Sequence, residues 1–134
     1  MYLKWMVFVL GIILQFNPCI AKSLVHTENV DFDTGSNKTT VYGMVKGSNT
    51  VNYRLFVKKG QTLHVNLDSS VVYFNIFSPH KGIGDTAMFM GSTDGGDYVG
   101  RLSKSGTYTI QVSLISSEAK KGTKALYSLS LGLD

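Results

Sequence analysis

Four groups of side chains in this 134-residue sequence could do chemistry: three histidines, a knot of carboxylates, a serine beside a glycine, and a run of lysines. His26, His64 and His80 lie far apart, with no short spacing that would bring two ring nitrogens to one ion, so a zinc site is not expected. The acidic stretch Ser92-Thr93-Asp94-Gly95-Gly96-Asp97 invites a calcium reading. It lacks the alternating ligands and the bidentate glutamate of a calcium loop, and Asp-Gly is a favoured turn dipeptide, so a turn is the better reading. No metal or cofactor is expected. Lys104-Ser105-Gly106-Thr107-Tyr108 allows three readings: a catalytic serine, a turn before a strand, or a tip that inserts into another protein. Catalysis is the weakest, because Ser105 does not sit in a Gly-x-Ser-x-Gly elbow and a base would have to be supplied by His64 or His80. The sequence reads as that of a non-enzyme.

The net charge is +4, and it is unevenly spread. Between Arg101 and Lys124 lie Arg101, Lys104, Lys120, Lys121 and Lys124 against the single acid Glu118, while Asp85, Asp94 and Asp97 gather just upstream. A local cationic surface of this kind suits an acidic partner. Nucleic acid would require stacking aromatic rings on the same basic face. Of Tyr42, Tyr53, Tyr73, Phe74, Phe77, Phe89, Tyr98, Tyr108 and Tyr127 most alternate inward, and the lysines sit in loops, so no nucleic acid is expected.

These residues must be positioned by strands. Lys4 precedes an apolar run from Trp5 to Leu14, followed by Cys19-Ile20-Ala21. That is the pattern of a signal peptide over residues 1–21, too short to span a bilayer. Removing it leaves residues 22–134 as a single domain, takes away the one cysteine, and places the chain in the periplasm or outside the cell, with no membrane attachment after cleavage. Residues 22–39 are polar and aperiodic and read as an arm. From Val41 onward the period is two: Val41, Gly43 and Val45; Tyr53, Leu55 and Val57; Leu63, Val65 and Leu67; Tyr108, Ile110, Val112 and Leu114; Tyr127, Leu129, Leu131 and Leu133. Lys58-Lys59-Gly60-Gln61 reads as a hairpin turn. Val71–Phe77 is nearly all apolar and is expected at a sheet centre or packed on both faces. Further strands are expected at 86–90 and 98–102, a turn at 91–96, and a helical turn only at 116–122. About eight short strands without a long helix make an all-β, antiparallel β-sandwich or barrel.

Three stretches, in order, resemble the periplasmic inhibitors of g-type lysozyme (PliG). They are Tyr42–Gly47 leading into Tyr53–Val65, then Tyr73–Ile76, then Leu102–Val112 followed by Ala125–Leu129. The strand pattern also resembles the pre-peptidase C-terminal type of sandwich, an envelope- or carbohydrate-binding accessory module, which is the alternative function. The first resemblance implies a protein partner, a g-type lysozyme, whose glycosidase cleft holds a catalytic carboxylic acid. It implies a contact surface of Lys104, Ser105, Gly106, Thr107 and Tyr108, with Ser105-Gly106 as an open tip entering the cleft and Lys120 and Lys121 as neighbouring charges. Ser116, Lys120 and Lys121 occupy the segment where similar family members carry arginines, and Ser48 or Asn49 the place of a tyrosine after the first strand. Homodimerisation is left open.

Overall fold

In the computed structural model, which describes residues 23–32 and 35–134, nine strands form two facing sheets. The signal peptide expected at residues 1–21 lies outside the described residues. One sheet has the order β1 (Val25–Asn29), β3 (Thr50–Val57), β8 (Gly106–Leu114), β5 (Val72–Phe77), β6 (Phe89–Met90). The other has the order β2 (Lys38–Lys46), β9 (Lys124–Leu133), β4 (Thr62–Asp68), β7 (Asp97–Arg101). Neither closes into a barrel, so the fold is an all-β sandwich. The inward positions of the period-two strands interdigitate between the sheets: Phe74, Leu55, Leu63, Ile76, Ile110, Leu129, Val45, Val57, Val65 and Val112 are almost wholly out of solvent. Each such side chain contributes about 1.5–3 kcal/mol of transfer free energy, which is how a sheet pair holds together without cross-links.

The polar segment before residue 39 is not a free arm. Residues 25–29 pair in parallel with β3, Val25 opposite Thr50 and Asn29 opposite Arg54. All five positions are exposed, so no alternation marks the strand in the sequence. It is held by backbone bonds, including its flanks, where the Thr50 amide donates to the Leu24 carbonyl and the Val30 amide to the Arg54 carbonyl, both at 2.9 Å.

Hairpins are rarer than the turn signals imply. Among the described residues only β5 and β6 are both consecutive and paired; the other connections cross from one sheet to the other. The Lys58–Gln61 turn is tight, with Gly60 at φ 93° and the Gln61 amide donating to the Lys58 carbonyl at 3.0 Å, but it links β3 to β4 across the sandwich. β5 has a neighbour on each side, as a central strand should, yet Val72, Phe74 and Ile76 face inward while Tyr73 and Asn75 are only half-buried. The strand expected at 86–90 shrinks to Phe89–Met90. It runs straight into a one-turn helix, α1 (Gly91–Asp94), where a turn was expected. Gly91 lies so close over Phe74 that a Cβ there would collide with the Phe74 backbone. A second short helix, α2 (Ser116–Lys120), stands where the sequence placed a helical turn.

Candidate functional site

The residues singled out from sequence fall at the two ends of β8. At its start, the β7–β8 corner is laced to the β3–β4 turn: the Gly60 amide donates to the Leu102 carbonyl and the Leu102 amide to the Gln61 carbonyl, both at 2.8 Å. The Lys59 amide donates to Ser105 Oγ at 2.7 Å, and the Tyr108 hydroxyl donates to the Lys104 carbonyl at 2.8 Å. Burial pushes the Tyr108 pKa up, which keeps it a neutral donor. The five residues Lys104–Tyr108 are therefore mostly a brace. Lys104 and Ser105 are exposed, Thr107 is half-buried opposite Phe56, and Tyr108 is in the core.

Gly106 is not an open tip. It pairs with Val57 as the first residue of β8, at φ 152°, and a Cβ there would lie 2.5 Å from Pro79 Cγ. Pro79 packs against Gly106 on the side where a side chain would stand. Around this corner stand Lys58, Lys59, Arg101 and Lys104, all exposed and none within 4.0 Å of an acid among the described residues.

At the other end, β8 leads through Ile115 into α2, whose turn is braced internally. Glu118 accepts a hydrogen bond from Thr123 Oγ1 at 2.6 Å and from Lys121 Nζ at 3.4 Å. Those two interactions, Thr123 first, hold its pKa below the ordinary carboxylate value. The Gly47 amide donates to the Thr123 carbonyl at 2.9 Å, which brings the Gly47-Ser48-Asn49 turn against the α2 loop. Ser48, Ser116, Lys120 and Lys121 thus share this end, all exposed. Lys46 and Lys124 join them as direct cross-strand partners where β2 ends and β9 begins. Of these four lysines only Lys121 has a carboxylate within 4.0 Å among the described residues. The Lys46–Lys124 pair was missed from sequence, because 77 intervening residues hide a register that only the β2–β9 ladder fixes.

Lys120 and Lys121 are therefore not neighbours of Ser105. A strand rises about 3.3 Å per residue, so the nine residues of β8 separate the two groups by roughly 26 Å, with Gly106 opposite Val57 and Ser113 opposite Thr50. Sequence proximity across a strand means spatial distance.

The remaining chemistry-bearing residues serve local structure. His26 Nε2 meets Glu28 at 2.9 Å and His64 Nε2 meets Asp134 at 2.8 Å. Asp94 accepts from the Met90 amide at 3.3 Å, closing the α1 turn, and Asp97 accepts from Asn66 Nδ2. Among the described residues no group of three histidine, cysteine or acidic side chains could hold a metal. Ser105 Oγ accepts from the Lys59 amide, and among the described residues no base is hydrogen-bonded to it.

Two facing sheets, with loop ends tied by hydrogen bonds and clusters of exposed lysines at both ends of β8, define an all-β sandwich. No protein-family model matches the chain. Comparison with solved structures gives PliG of Aeromonas hydrophila, a periplasmic lysozyme inhibitor of g-type lysozyme. It has a TM-score of 0.78 and is 32% identical, covering 84% of this chain and 99% of that one. Salmonella Typhimurium PliG, described in the same words, matches with a TM-score of 0.65 and 30% identity over 81% and 98% of the two chains. The Escherichia coli K12 inhibitor of g-type lysozyme is 28% identical over 105 residues, 77% of each chain. The chain belongs to the family of periplasmic inhibitors of g-type lysozyme.

Proposed function

We propose that this protein is a periplasmic, non-enzymatic inhibitor of a g-type lysozyme and that it meets the enzyme with its α2 end. The observation that carries this reading is the concentration of Lys46, Lys120, Lys121 and Lys124 around a turn fixed by Glu118 and Thr123, three of those lysines having no acid partner among the described residues. A glycosidase cleft must keep carboxyl groups beside the scissile bond. A cationic end is drawn to such a cleft from a distance, and a pre-formed one loses little conformational freedom on docking. Because these cations are lysines, they act as point charges without the planar fork that grips a carboxylate with two bonds. Attraction therefore depends on their number and on ionic strength.

A second reading keeps the Ser105 corner as the contact. It is favoured by the exposure of Ser105 among Lys58, Lys59, Arg101 and Lys104. In that case Ser105 and Lys104 touch the enzyme, while Gly106 and Tyr108 hold the corner from behind.

The test is to titrate the mature chain into a g-type lysozyme that is clearing bacterial cell walls. Progressive loss of lysis is expected. Unchanged lysis at micromolar excess removes the proposal.

A further inference from the structure

The end of the sandwich opposite α2 carries charge that the α2 reading leaves unused. β3 and β5 finish there, β8 begins there, and β7 ends beside the start of β4. Three connections therefore lie side by side: the 58–61 turn, the 102–105 corner and the 78–88 loop, whose Pro79 packs against Gly106. They present Lys58, Lys59, Lys81, Arg101 and Lys104, all exposed and none within 4.0 Å of an acid among the described residues. Two acids at this end are engaged by their own surroundings. Asp85 accepts from the Gly82 amide at 2.9 Å, and Asp134 is held by Asn37 Nδ2 and His64 Nε2, each at 2.8 Å.

Two features say what these cations meet. Arg101 is laid across the 58–61 turn, where a Cβ on Gly60 would stand 3.5 Å from Arg101 Nη2. With Lys59 and Ser103 it borders a shallow hollow of about 420 Å³. A planar guanidinium without a carboxylate, next to an ammonium, suits a phosphate group, whose oxygens it can take two at a time. The second feature is apolar. Phe56, 59% exposed, lies opposite Thr107 and two residues before Lys58, and Ile83, 65% exposed, follows two residues after Lys81. Cations around exposed apolar side chains match a bilayer surface: clusters of Lys and Arg are drawn to anionic lipid, and the apolar groups enter at the level of the headgroups. A narrow enzyme cleft admits one tip, whereas three connections side by side offer a broad end.

We propose that this end docks reversibly on an anionic phospholipid surface. Arg101 and Lys59 hold a lipid phosphate, Lys58, Lys81 and Lys104 add attraction, and Phe56 and Ile83 enter the headgroup region. Docking of this kind is adhesion by a folded end and needs no spanning segment. It leaves the α2 end, roughly 26 Å away along β8, facing away from the bilayer and open to an enzyme.

Cosedimentation of the mature chain with unilamellar vesicles tests this. The expected result is binding to phosphatidylcholine vesicles that contain phosphatidylglycerol and none to pure phosphatidylcholine, with a loss of about tenfold or more between about 0.05 M and about 0.5 M salt. Lys59→Glu/Arg101→Glu should lower the partition coefficient by about tenfold or more, and Phe56→Ser should weaken binding a few-fold at every salt concentration. All three side chains are exposed, so melting temperatures should stay near that of the wild type. Lys120→Glu/Lys121→Glu, at the far end, should bind vesicles as the wild type does. Inorganic phosphate should displace the chain better than chloride at equal ionic strength; equal displacement overturns the phosphate site at Arg101. Docking itself is overturned if the wild type ignores anionic vesicles at low salt, if neutral vesicles bind equally, or if the far-end variant loses as much as the corner variant. If Lys59→Glu/Arg101→Glu keeps its vesicle binding and instead inhibits a g-type lysozyme less, the corner belongs to the enzyme contact and membrane docking is refuted. No lysozyme is present in the vesicle assay, so this inference and the inhibitor reading can each fail alone.

Discussion

The hydroxyls of Tyr53 and Tyr127, one from each sheet, meet 2.6 Å apart between the layers. Both side chains are buried, and no charged residue is buried among those described. The pair is a polar rivet in a hydrocarbon core. Removing one hydroxyl strands the other without a partner, which costs about 1–3 kcal/mol, whereas removing both leaves nothing unsatisfied. Tyr53→Phe and Tyr127→Phe should each destabilise the fold, and the double variant should lose clearly less than their sum. A denaturant double-mutant cycle measures the difference; strictly additive losses would show that the two hydroxyls are not coupled.

The same pair makes the fold sensitive to alkali. Burial is the main cause that raises both pKa values, and the hydrogen bond between the two hydroxyls raises that of Tyr127 further. An unfolded tyrosine loses its proton near about pH 10 while these keep theirs, so the native state binds more protons and stability falls as pH rises above that value. Urea midpoints recorded from about pH 8 to about pH 11 should decline in the wild type and less steeply in the Tyr53→Phe/Tyr127→Phe variant.

Acid should loosen the α2 end. The carboxylate of Glu118 is favoured by its hydrogen bond from Thr123 and then by Lys121, so its contribution is present above the ordinary value of 4.5 and disappears as pH falls through the lowered one. Hydrogen exchange at residues 116–124 should accelerate at low pH, and Thr123→Val should reproduce that acceleration at neutral pH. Unaltered exchange in Thr123→Val would mean that the turn is held by its backbone bonds alone.

The two ends can be separated by charge reversal. Lys120→Glu with Lys121→Glu should slow association with a g-type lysozyme by about an order of magnitude at low salt and much less at high salt. Lys104→Glu should have a small effect if the α2 end is the contact. The reverse ranking in surface-binding kinetics would transfer the contact to the Ser105 corner.

Gly106 should be intolerant for reasons of fold. Alanine there would keep a positive φ of 152° and push against Pro79, a combination worth about 1–3 kcal/mol. Ser105→Ala removes one acceptor from the Lys59 amide and should cost about 1 kcal/mol. Thermal melts rank the two; an unperturbed Gly106→Ala would show that the Pro79 contact yields freely.

How much was legible follows from how each element is held. β3, β4, β8 and β9 were visible because one face of each is buried, and burial imposes alternation on the sequence. β1 was invisible because every side chain in it is exposed and its stability lies in backbone bonds to β3, which carry no side-chain signature. The single turn of α1 could not be told from a glycine-rich loop, since it buries none of its residues.

The candidate site divides the same way. The residue types were available in sequence: a cationic excess, exposed serines, and a Ser-Gly corner before a strand. Their grouping was not. A run of alternating residues reveals that a strand exists but not what lies beyond each end, so Lys104 and Lys120 looked close when an extended segment holds them apart.

From sequence alone came the class of layers, the inward residues and the sign of the surface charge, because those depend on local periodicity and composition. Strand order, the passage of the chain from one sheet to the other at most turns, the setting of Lys46 against Lys124, the locking of Gly106 beneath Pro79 and the meeting of Tyr53 with Tyr127 were decided only in three dimensions. Each joins residues distant along the chain, and such pairings are chosen by the free energy of closing the whole core, which no short stretch contains.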